Sequence, residues 1–284
     1  MTNPLIITVA PNGARKTPGD HPALPITADE LAQDAQACLA AGAAMIHLHV
    51  RDDLGAHTLD VATYRAAIQA VRAAVGDDLV IQVTTEAVGR YTPAEQIAMV
   101  RQLRPEAVSV ALAELTAGGV DQAVEFYRWA EAEGTALQHI LYSPGDVARL
   151  ADLVHRKGLP GQALSVLYVV GRYGGGDSDP QILVDFLAAA KEHHLDPEMW
   201  AVCAFGRNEG RVAMAAMSLG GHVRVGFENN FYLNDGRLSP DNGALVKQVA
   251  NGARLLARPV CQGAQARRHM SPGGAKSGQQ RVRC

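Results

Sequence analysis

His47 and His49 stand two residues apart at the polar end of the apolar run Met45-Ile46-His47-Leu48-His49-Val50, just before Arg51-Asp52. In a strand, residues i and i+2 project to one face, so both imidazoles turn to the same side. Such a pair can hold a divalent metal, and two histidines plus a carboxylate with an open position is a catalytic zinc arrangement. A single histidine on an apolar strand is more often a satisfied core residue; two at this spacing and place favour a metal. The third ligand must come from elsewhere. Glu228, in the run His222-Val223-Arg224-Val225-Gly226-Phe227-Glu228-Asn229-Asn230, is the candidate. Its other reading is an ion pair with Arg224 or Arg51.

Arg224 precedes Glu228 by four residues. Its guanidinium either reaches the site as a carboxylate clamp or makes an ion pair at the rim. Other polar side chains gather where apolar runs end: Arg15, then Thr84-Thr85-Glu86, then Ser109 with Glu114 following, and Asn229 beside Glu228. His139 lies mid-run with no carboxylate placed to complete a second metal set, so it reads as structural. His21, His57, His155, His193 and His194 read as loop or helix-end residues, and Cys203 as core. The glycine-bearing stretches at 12–13, 171–176, 206–207 and 220–221 match neither a P-loop nor a dinucleotide fingerprint.

Something must bring strand ends together from across the chain. Short apolar runs near Leu5–Val9, Ala44–His49, Leu79–Thr84, Ala107–Leu112, Ala136–Tyr142, Ala163–Val170, Met199–Phe205 and Gly221–Gly226 read as strands. Amphipathic stretches lie between and after them: Thr27–Ala41, Ala62–Val75, Pro93–Leu103, Val120–Glu133, Asp146–Lys157, Pro180–His193, Gly210–Leu219 and Gly243–Leu256. Thr27 and Glu30 have the spacing of a capping box. Thr92-Pro93 and Asp179-Pro180 place a cap-type residue before a proline at a first helical position. Eight strands alternating with eight helices predict a (β/α)8 TIM barrel, with an open doubly wound sheet as the alternative. In the barrel the chemistry sits at the C-terminal ends of the strands, where the residues above collect.

The 284 residues suit one such barrel, expected over 1–260. The remainder, 261–284, is rich in Gly, Gln, Arg and Ser and is expected to be a disordered basic tail. Hydrophobic residues make up 48% and charged residues 19%, which fits a folded enzyme rather than a disordered chain. A net charge of −3 gives no reason to expect nucleic acid. The four cysteines form no CxxC pair, so neither a zinc ribbon nor a disulfide framework is expected. The opening residues show no basic-then-apolar leader, and no apolar run approaches membrane-spanning length, so a cytoplasmic protein is expected.

The runs ITVAPNGA, HLHVRD, IQVTTEAVGR and above all GGHVRVGFENN resemble the β-keto acid cleavage enzymes, a resemblance that extends from about Leu5 to Ala257. It implies a zinc-dependent TIM barrel, commonly tetrameric, that condenses a β-keto acid with acetyl-CoA and releases acetoacetate and a new acyl-CoA. Position by position, it implies that His47, His49 and Glu228 are the zinc ligands, Arg224 the catalytic arginine, and Thr84 and Ser109 substrate contacts. Two positions depart from the aminohexanoate-cleaving members. Asn229 stands where they have Asp beside the zinc-ligand Glu, which leaves the proton-moving base to water, Glu86 or a neighbour. Arg15 stands where they have Glu, which suggests a substrate with an anionic or polar distal end. A metal-dependent hydrolase and a catalytically silent metabolite-binding barrel are the competing readings.

Overall fold

The strands predicted from the sequence close on themselves. The computed structural model describes residues 3–159 and 164–270. In chain order its elements are β1 (Ile7–Val9), α1 (Ala28–Ala41), β2 (Met45–Leu48), α2 (Val61–Val75), β3 (Val80–Thr84), α3 (Pro93–Leu103) and β4 (Ala107–Ala111). These are followed by α4 (Leu112–Ala117), α5 (Val120–Ala132), β5 (Ala136–Leu141), α6 (Pro144–Lys157), β6 (Ser165–Val170) and α7 (Ile182–Glu192). The chain continues through β7 (Met199–Ala204), α8 (Glu209–Ser218), β8 (His222–Val225), α9 (Asn242–Leu255) and α10 (Gly263–Met270). All eight strands run parallel in sequence order, and β1 pairs with both β2 and β8. That closure excludes the open sheet and defines a (β/α)8 barrel.

Local chemistry sets the helix starts. The Thr27 side chain accepts from the Glu30 N–H while Glu30 reaches back, and Thr92 with Glu95 repeats the box before Pro93. Asp60, Ser143 and Asp241 cap α2, α6 and α9 in the simpler way. The start expected at Pro180 falls two residues later: Asp179 accepts from the Gln181 N–H in a turn, and α7 begins at Ile182.

Strand alternation sorts the side chains. Ile46, Leu48, Val83, Val108, Val110, Val166, Val223 and Val225 face the helices and join the main core. The alternate residues point into the barrel. Thr8, Gln82, Ser109, Gln138 and Ser165 fill its middle as buried polar groups, while Ala111, Ile140, Leu167, Val169, Ala201, Cys203 and Phe205 form an apolar wall on the β4–β7 side.

The domain boundary expected at residue 260 requires correction. Residues 263–270, read as the start of a disordered tail, form α10, and it closes the bottom of the barrel. Cys261, Ala266 and Met270 pack there against Ile6, Met45, Val80, Ala107 and Met199. The Arg267 Nε donates to Glu106 at 2.9 Å, and Gly263 lies against the Asp78 carbonyl too closely for any side chain. Composition misled because one turn of apolar contacts suffices to dock so short a helix. The rest of the expected tail, 271–284, lies outside the described residues. Ending the chain after Val260 is expected to lower stability by roughly 3–6 kcal/mol, since it uncovers several core side chains; thermal unfolding against the full chain measures it, and an unchanged Tm would contradict the docking.

Candidate functional site

The site lies at the C-terminal ends of β2, β3, β4 and β8. Glu228 follows β8 in a turn that is pinned from every side. Gly226 adopts φ +139°, and a side chain there would strike the Ala10 backbone. The Glu228 N–H donates to Ala10 O at 3.0 Å, the Phe227 N–H to Asn242 Oδ1 at 2.8 Å, and the Gly226 N–H to Glu209 Oε1 at 3.1 Å. Lys16 Nζ donates to Phe227 O at 2.7 Å. The turn thus aims the Glu228 carboxylate back over β1 toward β2.

There it meets both imidazoles. His47 Nε2 and His49 Nε2 are 3.1 Å apart, and Glu228 Oε2 is 3.6 Å from the first and 3.2 Å from the second. A tetrahedral ion with ligand atoms about 2 Å away separates those atoms by about 3.3 Å. The three spacings bracket that figure. Glu228 Oε2 is buried with no hydrogen-bond partner among the described residues, a costly arrangement unless a cation completes it. The three residues therefore fit a divalent metal.

Neighbours set the orientation of the donors. His47 Nδ1 is 2.9 Å from Gln82 Oε1, so in the tautomer that donates to the amide its Nε2 lone pair is left for a metal. Gln82 in turn donates to Gln138, and Gln138 to Ser165, in a polar row across the barrel. Burial, then the Arg224 charge, lowers the pKa of His47 to about 3, which keeps it neutral. Glu86 Oε2 lies 3.8 Å from His49 Nδ1, near but beyond hydrogen-bond reach.

Arg224 stands beside the group. Its Nη2 donates to Glu228 Oε1 at 2.9 Å and contacts Cys203 Sγ at 3.2 Å. Burial alone would push the Glu228 carboxyl up, but Arg224 and the two imidazoles overcome it and hold the carboxyl well below the usual range. The ion pair of Glu228 is therefore with Arg224, through one oxygen, and the other oxygen faces the imidazoles; Arg51 is engaged elsewhere, on the Gly13, Lys16 and Gly55 carbonyls.

The other expected residues surround this centre. Thr84 and Ser109 are register partners on β3 and β4, and Ser109 Oγ is 3.5 Å from His47 Nδ1. Thr84 Oγ1 accepts from the Glu86 N–H at 3.1 Å. Burial raises the Glu86 pKa, while His49 opposes the shift. Asn229 is buried with neither amide atom hydrogen-bonded to a described residue. Arg15 is exposed at the mouth, its guanidinium 5.2 Å from the Tyr173 ring centroid.

Sequence reasoning missed three neighbours. Gln82 was legible in principle, because it alternates with Thr84 on β3 and must share its inward face. His57, read as a loop residue, places its ring 5.1 Å from that of His49 and bonds the Glu86 carbonyl at 3.0 Å. Tyr173 was seen only as part of a glycine-bearing loop. His139 is buried against Tyr127 with its pKa lowered by burial to about 4, as a structural histidine should be.

A closed parallel barrel with a His-His-Glu group and an arginine at its C-terminal rim has the layout of a TIM-barrel enzyme site whose donors could hold a metal. The comparisons narrow the class: a family model described as beta-keto acid cleavage enzyme matches residues 4–271, and the chain belongs to that family. The chain is 30% identical over 278 residues to a 3-keto-5-aminohexanoate cleavage enzyme of Fusobacterium nucleatum, covering 95% of this chain and 99% of the relative. It is 31% identical over 270 residues to the enzyme of the same name from Acetoanaerobium sticklandii, covering 93% and 96%. To a 3-oxoadipate:acetyl-CoA acetyltransferase of Cupriavidus necator it is 30% identical over 274 residues, covering 94% of each. Among solved structures, a ternary complex of ObcA with C4-CoA adduct and oxalate superposes with TM-score 0.72 at 16% identity, over 88% of this chain and 67% of that one, a likeness of fold.

Proposed function

We propose that the protein condenses a β-keto acid with acetyl-CoA and returns acetoacetate and a new acyl-CoA, with zinc held by His47, His49 and Glu228. The observation that carries this reading is the convergence of those three donors beside Arg224 in a barrel of this family. Bound zinc would act as a Lewis acid toward the substrate's keto and carboxylate oxygens and stabilise enolate charge. Arg224 holds the carboxylate end with its second face, and the hydroxyls of Thr84 and Ser109 line the substrate.

Asn229 cannot accept a proton, so its amide orients the substrate and the base lies elsewhere. Glu86 is the carboxylate at the edge of the pocket, and its burial makes it a stronger base than a surface carboxylate. It takes a proton from the carbon between the keto and carboxyl groups. That carbon attacks the acetyl-CoA carbonyl and expels the CoA thiolate. The thiolate adds to the original keto carbon, the carbon–carbon bond breaks, and acetoacetate leaves after recovering the proton. In this reading the enzyme is a cytoplasmic homotetramer. Among the described residues no helix is long and apolar enough to cross a membrane.

Arg15 at the mouth suits a substrate with an anionic distal end, such as 3-oxoglutarate or 3-oxoadipate, and the name of the Cupriavidus necator relative contains a keto acid of that kind. Arg15→Glu is expected to shift the ratio of kcat/KM between anionic and cationic substrates by about 10–100-fold toward the cationic ones; an unchanged ratio removes Arg15 from the pocket.

The test of the reaction is incubation of the zinc-loaded protein with acetyl-CoA and a panel of C5–C7 β-keto acids, with products identified by mass spectrometry. Acetoacetate plus a new acyl-CoA is expected. A folded, zinc-loaded sample that moves no CoA overturns the proposal.

A further inference from the structure

Tyr173 follows β6 in the Gly171–Gly176 stretch, and its ring enters the upper barrel. It packs on Phe205 with ring centroids 4.6 Å apart and joins the apolar wall of Ile140, Leu167, Val169 and Cys203. Arg15 lies over the ring. The phenol tip is buried, yet it has no hydrogen-bond partner among the described residues. An orphaned buried hydroxyl loses the hydration it would have in water and gains nothing in return, at a cost of about 1–3 kcal/mol. Such a cost persists where a bound molecule removes it.

The position of Gly13 shows where the hydroxyl points. A Cβ on Gly13 would stand 2.6 Å from Glu228 Cγ and 2.9 Å from the Tyr173 hydroxyl. The tyrosine and the metal-ligand side chain therefore converge on one small backbone position from two directions. Gly13 also has φ +64°, and its carbonyl accepts from Arg51 Nε at 3.1 Å, so this backbone is held in place. The phenol O–H, unpartnered among the described residues, is available as a donor.

We propose that Tyr173 is a substrate-contacting residue: its phenol O–H donates a hydrogen bond to an oxygen of the β-keto acid bound beside Glu228. This inference rests on the reaction proposed above, since it takes the ligand from it. The surroundings leave the acceptor to the ligand. Glu228 already receives Arg224 on Oε1 and faces the imidazoles with Oε2, so a ligand oxygen is the acceptor that the pocket lacks. The same ring positions Arg15, which ties recognition of the reacting end to recognition of the distal end.

Tyr173→Phe removes one oxygen and keeps the ring contacts with Phe205 and Arg15. Loss of this hydrogen bond predicts a fall in kcat/KM of about 10-fold. Zinc content is expected to be unchanged, and the Tm of the substrate-free protein unchanged or raised, because the orphaned hydroxyl is gone. A merely structural tyrosine would show the opposite pattern, with a lowered Tm and an unaltered kcat/KM, and that result overturns the inference. The binding arm keeps the two proposals apart. Acetoacetate, itself a β-keto acid, is titrated calorimetrically into the zinc-loaded wild type and variant, with about a tenfold weaker Kd expected for the variant. If the wild type processes none of the panel, the reaction proposal falls, and equal acetoacetate affinity, or none in either protein, removes Tyr173 as well.

Discussion

Glu228→Gln is expected to empty the metal site and lower kcat/KM by about a thousandfold or more. The substitution keeps the shape of the side chain and removes its charge. One oxygen faces the two Nε2 atoms and the other receives Arg224, so a neutral amide fails at both tasks. It binds a divalent ion poorly, and it leaves the buried guanidinium without a counter-charge, an arrangement that costs about 3–5 kcal/mol. Metal content by mass spectrometry, activity and thermal unfolding should therefore fall together. Chelation of the wild type should abolish activity while leaving Arg224 paired, so its loss of Tm should be smaller than that of the variant. A fully metallated Glu228→Gln protein would show that the imidazoles alone bind the ion, or that the ligand lies elsewhere.

Arg224→Lys should separate metal binding from turnover. An ammonium can still neutralise Glu228, so zinc content is expected to stay near that of the wild type. What disappears is the planar fork that meets Glu228 and Cys203 with one nitrogen and leaves the rest of the guanidinium for the substrate. In the proposed reaction this removes charge stabilisation from the carboxylate end, for which a fall in kcat of about 100–1,000-fold is expected. The diagnostic comparison is kcat at saturating β-keto acid with zinc measured in the same sample. A kcat within a few-fold of wild type would make Arg224 a structural counter-ion to Glu228 and nothing more.

The barrel was legible because each of its signals was local. The capping-box spacing at Thr27, the cap-type Thr92 before a proline at a first helical position in α3, and apolar runs of strand length all follow from short stretches of sequence. The His-x-His pair was legible because a two-residue period fixes which face both rings share. Glu228 was found as a candidate ligand, yet its second role could not be chosen from spacing, since only the turn through Gly226 reveals that its two oxygens serve different partners. The helices α4 and α10 escaped because neither is long enough to display a helical period against its surroundings. His57 and Tyr173 escaped for a different reason: each matters through a neighbour contributed by another strand or loop, and that adjacency exists only after the barrel closes.

The interior of the barrel is divided between two semicircles. The groups suited to chemistry come from β2, β3, β4 and β8, whereas Ile140, Leu167, Val169 and Ala201 line the opposite arc. In the proposed reaction, bond-making and the fit of the substrate's chain would therefore rest on separate stretches of the gene. A substitution at Ile140, Leu167 or Val169 is expected to alter the length or bulk of the chain that fits while leaving the His47, His49 and Glu228 donors in place. A lineage built on this plan can acquire new substrates by small steps, each of which leaves the reaction intact.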